Sequence, residues 1–143
     1  MSLLNGQCHC GRLQITFETE FEPAGLPLRA CQCSFCRLHG VVSISDARGA
    51  VSIHSDSRQY LHKYRFGLEI TDFLLCTECG VYVAALMQID GKRYASINAN
   101  VLEAQRLLQQ PARPVDYSGE NTAQRLARRK RYWTPAVFTG TLA

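Results

Sequence analysis

The chain has 143 residues, of which 46% are hydrophobic, which is enough for the core of one globular domain. No stretch approaches the roughly 20 apolar residues that cross a bilayer, and the start lacks the basic and apolar segments of a secretion signal, so we expect a cytoplasmic protein without a membrane partner. The net charge of +4 lies entirely in the last 43 residues, which excludes a fold coated with basic residues.

Short runs of β-branched and aromatic residues predict a mainly β fold. The alternation of Leu13, Ile15 and Phe17 indicates a strand with one face in the core. Further strands are expected in residues 41–45, 51–54, 59–66, 69–75, 81–87 and 93–99. The breaks between these runs are too short for helical crossovers, so we expect antiparallel connections.

Helices are expected only in the last third of the chain. One short helix is predicted near residues 102–110, where Pro111 would stop it, and a second in residues 120–132. Proline and glycine indicate loops at residues 23–27 and 111–119. The sequence therefore predicts a single domain over residues 1–143 with a basic C-terminal tail at 121–143.

Seven cysteines are the main chemical feature of the sequence. An odd number leaves at least one thiol outside any set of disulfides, and cytoplasmic thiols are normally reduced, so metal ligation is the better interpretation. Their spacings are those of metal ligands, with one or two residues between neighbours in each group. The groups are Cys8 and Cys10, then Cys31, Cys33 and Cys36, then Cys76 and Cys79.

The seven thiolates divide naturally into four and three. Zinc prefers four ligands, so the two cysteine pairs would saturate one structural ion. Gly11 and Gly80, each directly after a cysteine, suit a backbone that curls around a metal at positive φ. The remaining cysteines, Cys31, Cys33 and Cys36, would hold a second zinc and leave one position open. We therefore expect two zinc ions per chain.

Two other arrangements remain open at this point. Cys33 and Cys36 could combine with Cys76 and Cys79 as the two knuckles of a zinc ribbon, although the gap between these pairs is unusually long. Alternatively, His39 could supply the fourth ligand of the second site and close it as a structural site.

The three cysteine motifs together resemble those of a known family. The segments "CHCG", "CQCSFCRLHG" and "FLLCTECGVYVAA" are similar to the glutathione-dependent formaldehyde-activating enzyme family, which includes centromere protein V. The resemblance implies a zinc-stabilised antiparallel β-tent built from small twisted sheets, with a short C-terminal helix. It also implies that Cys8, Cys10, Cys76 and Cys79 hold the structural zinc, and that Cys31, Cys33 and Cys36 hold the reactive one.

The resemblance also implies an activity. The family's named reaction joins formaldehyde to the thiol of glutathione and is classed, in reverse, as a carbon–sulfur lyase reaction. We therefore expect a zinc-dependent lyase-type enzyme that acts on a thiol adduct of a small aldehyde, with a small thiol such as glutathione as its partner. The alternatives are a non-catalytic zinc-binding interaction module and, less favoured, a protein that associates with nucleic acid.

Several further residues have two possible roles. The tail contains a basic run followed by two aromatic residues: Arg125, Arg128, Arg129, Lys130 and Arg131, then Tyr132 and Trp133. We interpret this run as a solvated helix whose aromatic end packs on the domain. The alternatives are a nucleic-acid patch and a contact between the arginines and a glutathione carboxylate. Other side chains that could line a cleft or pack in the core are Arg58, Tyr60, Tyr64 and Arg65. Ser34 is either a hydrogen-bond donor to a ligating sulfur or a turn residue.

Overall fold

The computed structural model describes residues 1–141, which form a mainly β protein with eleven strands and two α-helices. The first five strands are β1 (Ser2–Gln7), β2 (Gln14–Thr19), β3 (Leu28–Cys31), β4 (Ser43–Ile44) and β5 (Ala50–Ser55). The others are β6 (Leu61–Tyr64), β7 (Asp72–Cys76), β8 (Tyr82–Ile89), β9 (Lys92–Asn98), β10 (Ala112–Val115) and β11 (Thr134–Gly140). The helices are α1 (Ser34–His39) and α2 (Thr122–Tyr132).

All strands of the described chain belong to one branched sheet. Its main path runs β1-β2-β5-β11-β9-β4-β3-β10, and β8, β7 and β6 branch from β9 in that order. The expectation of purely antiparallel pairing is wrong for two pairs, because β10 runs parallel to β3 and β11 runs parallel to β5. Both exceptions involve strands near the C-terminal end, which return to pair with strands from the first half of the chain.

The alternation that predicted β2 corresponds to the way this strand is buried. Ile15 and Phe17 are almost fully buried and lie opposite Ile53 and Val51 of β5, respectively. Between them, Thr16 points to the less buried face. The period-2 pattern therefore identified the core face of this strand correctly.

Of the two predicted helices, only the C-terminal one forms as an α-helix. The helix expected over residues 102–110 is reduced to a 3-10 helix at Glu103–Leu107, and the loop expected at 111–119 contains β10. Helix α2 agrees with the predicted terminal helix. It begins with a capping box, in which Asn121 Oδ1 accepts from the Gln124 amide at 2.8 Å and the Asn121 amide donates to Gln124 Oε1 at 2.9 Å.

The basic tail is an integral part of the fold. After α2, the chain enters β11, which lies between β5 and β9 in the sheet. Trp133, at the junction of helix and strand, is only 6% exposed. The last two residues of the expected tail, 142 and 143, lie outside the described part of the chain. None of the helices in residues 1–141 has the length and apolar character needed to span a membrane.

The buried apolar side chains form two groups. The larger group is mainly aliphatic and packs around β2, β5, β8 and β9. The smaller group is rich in aromatic residues and is centred on Phe35, whose ring lies 4.6 Å from that of Phe73 and 5.0 Å from that of Tyr82. Cys31, Cys33 and Cys36 belong to or pack against this aromatic group, so it positions the second set of cysteines.

Candidate functional site

Two turns bring four cysteines together. Cys8 and Cys10 lie in the turn from β1 to β2, and Cys76 and Cys79 lie at the turn from β7 to β8. The four sulfur atoms all lie within 4.8 Å of one another. Cys10 Sγ is 3.7 Å from Cys8 Sγ and 3.5 Å from Cys76 Sγ. Sulfurs held ~2.3 Å from a tetrahedral centre would be ~3.8 Å apart, so this spacing fits one zinc ion.

Each of these turns depends on a glycine with positive φ. Gly11 has φ of 83° and donates its amide to the Cys8 carbonyl at 3.1 Å. Gly80 has φ of 76° and donates to the Cys76 carbonyl at 2.9 Å. A residue with a Cβ atom is strained in this conformation, so the expectation of positive φ at both glycines is confirmed.

The four thiols have unequal acidity. Arg12 lies beside Cys10, and its guanidinium lowers the pKa of that thiol to about 6. Burial has the opposite effect on Cys8 and raises its pKa to about 12. The Leu13 amide donates to Cys8 Sγ at 3.3 Å and partly offsets this effect of burial. A cation bound among the four sulfurs would favour the thiolate form of all of them.

The other three cysteines lie on consecutive elements. Cys31 is the last residue of β3, Cys33 caps α1, and Cys36 lies within α1. The Cys33 sulfur accepts a hydrogen bond from the Cys36 amide at 3.4 Å. The helix ends at Gly40, which is left-handed with φ of 61°. This fold of strand, bend and short helical turn brings the three sulfurs within 4.8 Å of one another.

The mutual contacts of these three thiols separate their acidities. The neighbouring thiols of Cys31 and Cys36 lower the pKa of Cys33, whereas the thiols of Cys31 and Cys33 raise the pKa of Cys36. Cys33 is therefore the thiol of this cluster that ionises most easily, and its charge opposes ionisation of Cys36. A bound divalent cation would remove that opposition, because it compensates the repulsion between thiolates.

Both alternative ligand sets are inconsistent with these positions. Cys33 and Cys36 group with Cys31 rather than with Cys76 and Cys79, so the zinc-ribbon arrangement is wrong. His39 is not in the three-cysteine cluster, and its ring lies 4.3 Å from that of Phe35. It therefore does not provide a fourth ligand in this structure. The two groups of sulfurs suit zinc by donor chemistry, since soft thiolates select zinc over hard cations.

The three-cysteine cluster opens into a cavity of about 280 Å³. Phe66, Phe73, Tyr82 and Trp133 contribute aromatic walls, and Cys31, Cys33 and Cys36 all line the cavity. None of the other four cysteines is part of its lining. Burial raises the pKa of Tyr82 well above its usual value, so this phenol stays protonated beside the cluster. The cavity therefore offers a small compound access to one cysteine cluster.

Helix α2 contributes three arginines to the same cavity. Arg125, Arg128 and Arg129 line it, and Arg29 of β3 is the fourth arginine in its wall. The interpretation of α2 as a solvated helix needs correction, because Arg129 is only 8% exposed. The packing of the aromatic end does agree with the expectation, through Trp133. The sequence alone gave no signal for Arg29, which is a single charge in a short strand.

The remaining residues singled out in the sequence do not line the cavity. The cavity lining includes none of the four side chains expected in a cleft or in the core, Arg58, Tyr60, Tyr64 and Arg65. Tyr64 is 44% exposed, so it is not a core residue either, although its ring stacks on Phe35 at 5.9 Å. Arg12 lies 4.9 Å above the Tyr60 ring, next to the four-cysteine cluster. Ser34 is the first residue of α1.

Comparison with known proteins agrees with the motifs. No curated protein matches the chain significantly. A crystal structure of a Rhodobacter sphaeroides protein matches 78% of this chain and 99% of its own, with 24% identity and a TM-score of 0.56, which indicates a shared fold. The family model described as glutathione-dependent formaldehyde-activating enzyme matches residues 3–116, which include all seven cysteines. The chain therefore belongs to the glutathione-dependent formaldehyde-activating enzyme family.

Proposed function

We propose that the chain is a zinc-dependent enzyme of the carbon–sulfur lyase type, acting in the cytoplasm on the thiol adduct of a small aldehyde. The adduct would resemble S-hydroxymethylglutathione. Its cleavage breaks the carbon–sulfur bond, returns the hydroxyl proton to the sulfur and releases the aldehyde, and the reverse reaction joins the same two partners. The observation that carries the proposal is that the three-cysteine cluster lines the cavity, whereas the four-cysteine cluster does not.

The two cysteine clusters would have different roles. Cys8, Cys10, Cys76 and Cys79 would hold a structural zinc, because four thiolates complete a tetrahedral shell. Cys31, Cys33 and Cys36 would hold a second zinc with one position open to the substrate. At that position zinc supplies Lewis acidity and favours the ionised form of a thiol. The whole of residues 1–143 would then be one zinc-binding domain, in keeping with the β-tent that the resemblance implies.

The chain's own residues would bind and orient the reactants. The aromatic walls at Phe66, Phe73 and Tyr82 exclude water from one side of the cavity. The neutral Tyr82 phenol keeps its proton and so remains a hydrogen-bond donor beside the sulfurs. Holding a thiol and a small aldehyde together in this space would provide the entropic advantage of an intramolecular reaction.

Metal analysis and spectroscopy test the proposal together. The purified protein should contain two zinc ions per chain, and Cys33→Ser should retain one. X-ray absorption at the zinc edge should show an additional sulfur neighbour when glutathione is added to the wild type. With Cys33→Ser the added thiol should leave the spectrum unchanged.

Catalysis is measured by magnetisation exchange between ¹³C-formaldehyde and S-hydroxymethylglutathione in NMR spectra. The wild type should accelerate the exchange at least about tenfold over the uncatalysed reaction, which corresponds to about 1.4 kcal/mol of barrier. Cys33→Ser, shown to be folded by circular dichroism, serves as the matched control. Equal exchange rates with the two proteins would exclude the three-cysteine cluster as the catalytic centre.

A further inference from the structure

The cavity beside Cys31, Cys33 and Cys36 contains more positive charge than its neighbouring carboxylates balance. Four arginines line it: Arg29, Arg125, Arg128 and Arg129. Two carboxylates, Asp116 and Glu69, also line it, but both residues are exposed. Solvent screens such exposed charges strongly. The partners of each arginine therefore decide which positive charges remain available to a ligand.

Arg125 and Arg128 already have an anionic partner. Glu120 accepts from Arg128 Nε at 2.7 Å and Nη2 at 3.0 Å, and from Arg125 Nε at 3.3 Å. The side chains of all three residues are less than one-fifth exposed, at 17%, 19% and 18% for Arg128, Arg125 and Glu120. One carboxylate thus serves two guanidinium groups, and its charge is committed to them.

Arg29 has only neutral partners in the described part of the chain. Its Nη1 donates to Ser45 Oγ at 2.9 Å, and its Nη2 donates to Ser96 Oγ at 3.1 Å. No carboxylate of residues 1–141 lies within ion-pairing distance of it. These two hydroxyls fix the guanidinium in place at the cavity wall without neutralising it.

Arg129 is the most deeply buried of the four. Its guanidinium lies 4.5 Å above the Trp133 ring, and Nη1 donates to Thr71 Oγ1 and, at 3.3 Å, to Met87 Sδ. Its Nε is buried and has no hydrogen-bond partner among the described residues. Burial lowers the pKa of Arg129 to about 10, which still leaves it charged at neutral pH. A buried cation with an unsatisfied donor is costly unless an anion compensates it.

We infer that Arg29 and Arg129 bind a carboxylate of the substrate while the zinc that Cys31, Cys33 and Cys36 would hold binds its sulfur, so that the enzyme selects thiols that carry a carboxylate. Guanidinium groups match the planar geometry of carboxylates and bind them through paired, charge-assisted hydrogen bonds. The inference rests on the proposed function for the sulfur end of the substrate. The arginine-bearing helix α2 lies beyond residues 3–116, so Arg129 belongs to a part of the chain that the family match does not cover.

Arginines that only compensate the negative charge of the cysteine cluster would have a different effect. A zinc ion with three thiolates carries a net charge of −1, and removal of a nearby arginine would then alter the binding of every thiol alike. Arginines that bind the substrate carboxylate affect only the thiols that possess one. A matched pair of thiols separates these two roles.

The experiment is calorimetric titration of the zinc-loaded protein with 3-mercaptopropionate and with 3-mercapto-1-propanol, which has a hydroxymethyl group in place of the carboxylate. The wild type should bind the carboxylate compound about 10- to 100-fold more tightly, as expected for charge-assisted hydrogen bonds. Arg29→Gln and Arg129→Gln should each reduce this preference at least about fivefold and leave the affinity for the alcohol unchanged. Arg129→Lys, which keeps the charge but loses the planar group, should retain part of the preference.

Arg131→Gln is the control. This variant makes the same change on the same helix, but at an exposed residue whose guanidinium lies 5.4 Å from the centre of the Tyr132 ring. It should leave the preference for the carboxylate compound intact. The inference is overturned if the wild type binds both thiols equally, if the glutamine variants weaken both equally, or if Arg131→Gln abolishes the preference. Equal binding of both thiols leaves the proposed function standing, whereas binding of neither overturns the proposed function as well. If Arg129→Gln fails to fold, Arg29→Gln and Arg129→Lys still decide the question.

Discussion

Replacement of Cys8 and Cys10 should destabilise the protein about twice as much as replacement of two cysteines in the three-cysteine cluster. The double variant Cys8→Ser, Cys10→Ser removes both sulfurs through which a bound zinc would tie the β1–β2 turn to the β7–β8 turn. Cys10 and Cys76 are 66 positions apart, and a cross-link over that distance stabilises a fold by about 4 kcal/mol in the chain-entropy model. We therefore expect a loss of about 4 kcal/mol in the free energy of unfolding, and a decrease in Tm on the order of 10 °C.

The matched control is Cys31→Ser, Cys33→Ser, which also removes two sulfurs. The three cysteines of that cluster lie within six consecutive residues, so the same model gives a contribution of only about 2 kcal/mol. Urea unfolding followed by the fluorescence of the single, buried Trp133 measures both losses. Equal destabilisation by the two double variants, or none with the first, would refute the role of the four-cysteine cluster as a long-range tether.

Two further predictions concern packing and charge. Gly49→Ala should lower the unfolding free energy by more than about 2 kcal/mol, because the new Cβ would lie 2.2 Å from the Glu18 carbonyl oxygen. Gly25→Ala is the control, since a Cβ there meets no atom within 4 Å and should change the unfolding free energy by less than about 0.5 kcal/mol. Similar melting temperatures for the two variants would contradict this. Arg128 lowers the pKa of Glu120 below its ordinary value of 4.5, so this ion pair stabilises the fold at neutral pH and its contribution is lost as the pH falls below about 4.5. Glu120→Gln should therefore show a smaller decrease in stability on acidification than the wild type, and an unchanged pH profile would count against the pairing.

The cysteine clusters were the part of the site most accessible from the sequence. Ligands that lie one or two residues apart must converge locally, so their spacing already limits which sulfurs can meet. Gly11 and Gly80 supported the same turns through their conformational freedom. What the spacing alone left open was how distant groups combine, and the structure joins the first and third groups while keeping the second apart.

Helix α1 was missed because its start has no conventional signal. Helices usually begin at Ser, Thr, Asp or Asn, whereas here the sulfur of Cys33 takes the place of the side-chain oxygen. The stop signal at Gly40 was present in the sequence, but six residues are too few to show a helical period.

The two late strands escaped prediction for a different reason. Strand β10 has only four residues and contains Pro114, and a proline usually argues against a strand. It is tolerated here because β10 is at the edge of the sheet, paired only with β3. The parallel pairings of β10 and β11 depend on partners more than 70 residues earlier, and no local pattern encodes such a contact. The pairings of β10 with β3 and of β11 with β5 also bring Arg29 of β3 and the arginines of α2 to the same cavity, which is why the sequence did not reveal this grouping.

The position of β11 has a consequence for synthesis of the protein. On the main path of the sheet, this strand is all that connects β1, β2 and β5 to β9 and the strands beyond it. A ribosome makes β11 after the other ten strands described in residues 1–141, so β5 and β9 each present an open edge until residues 134–140 emerge. Unpaired edges readily join other chains, and the nascent sheet is therefore most prone to aggregation just before translation reaches β11.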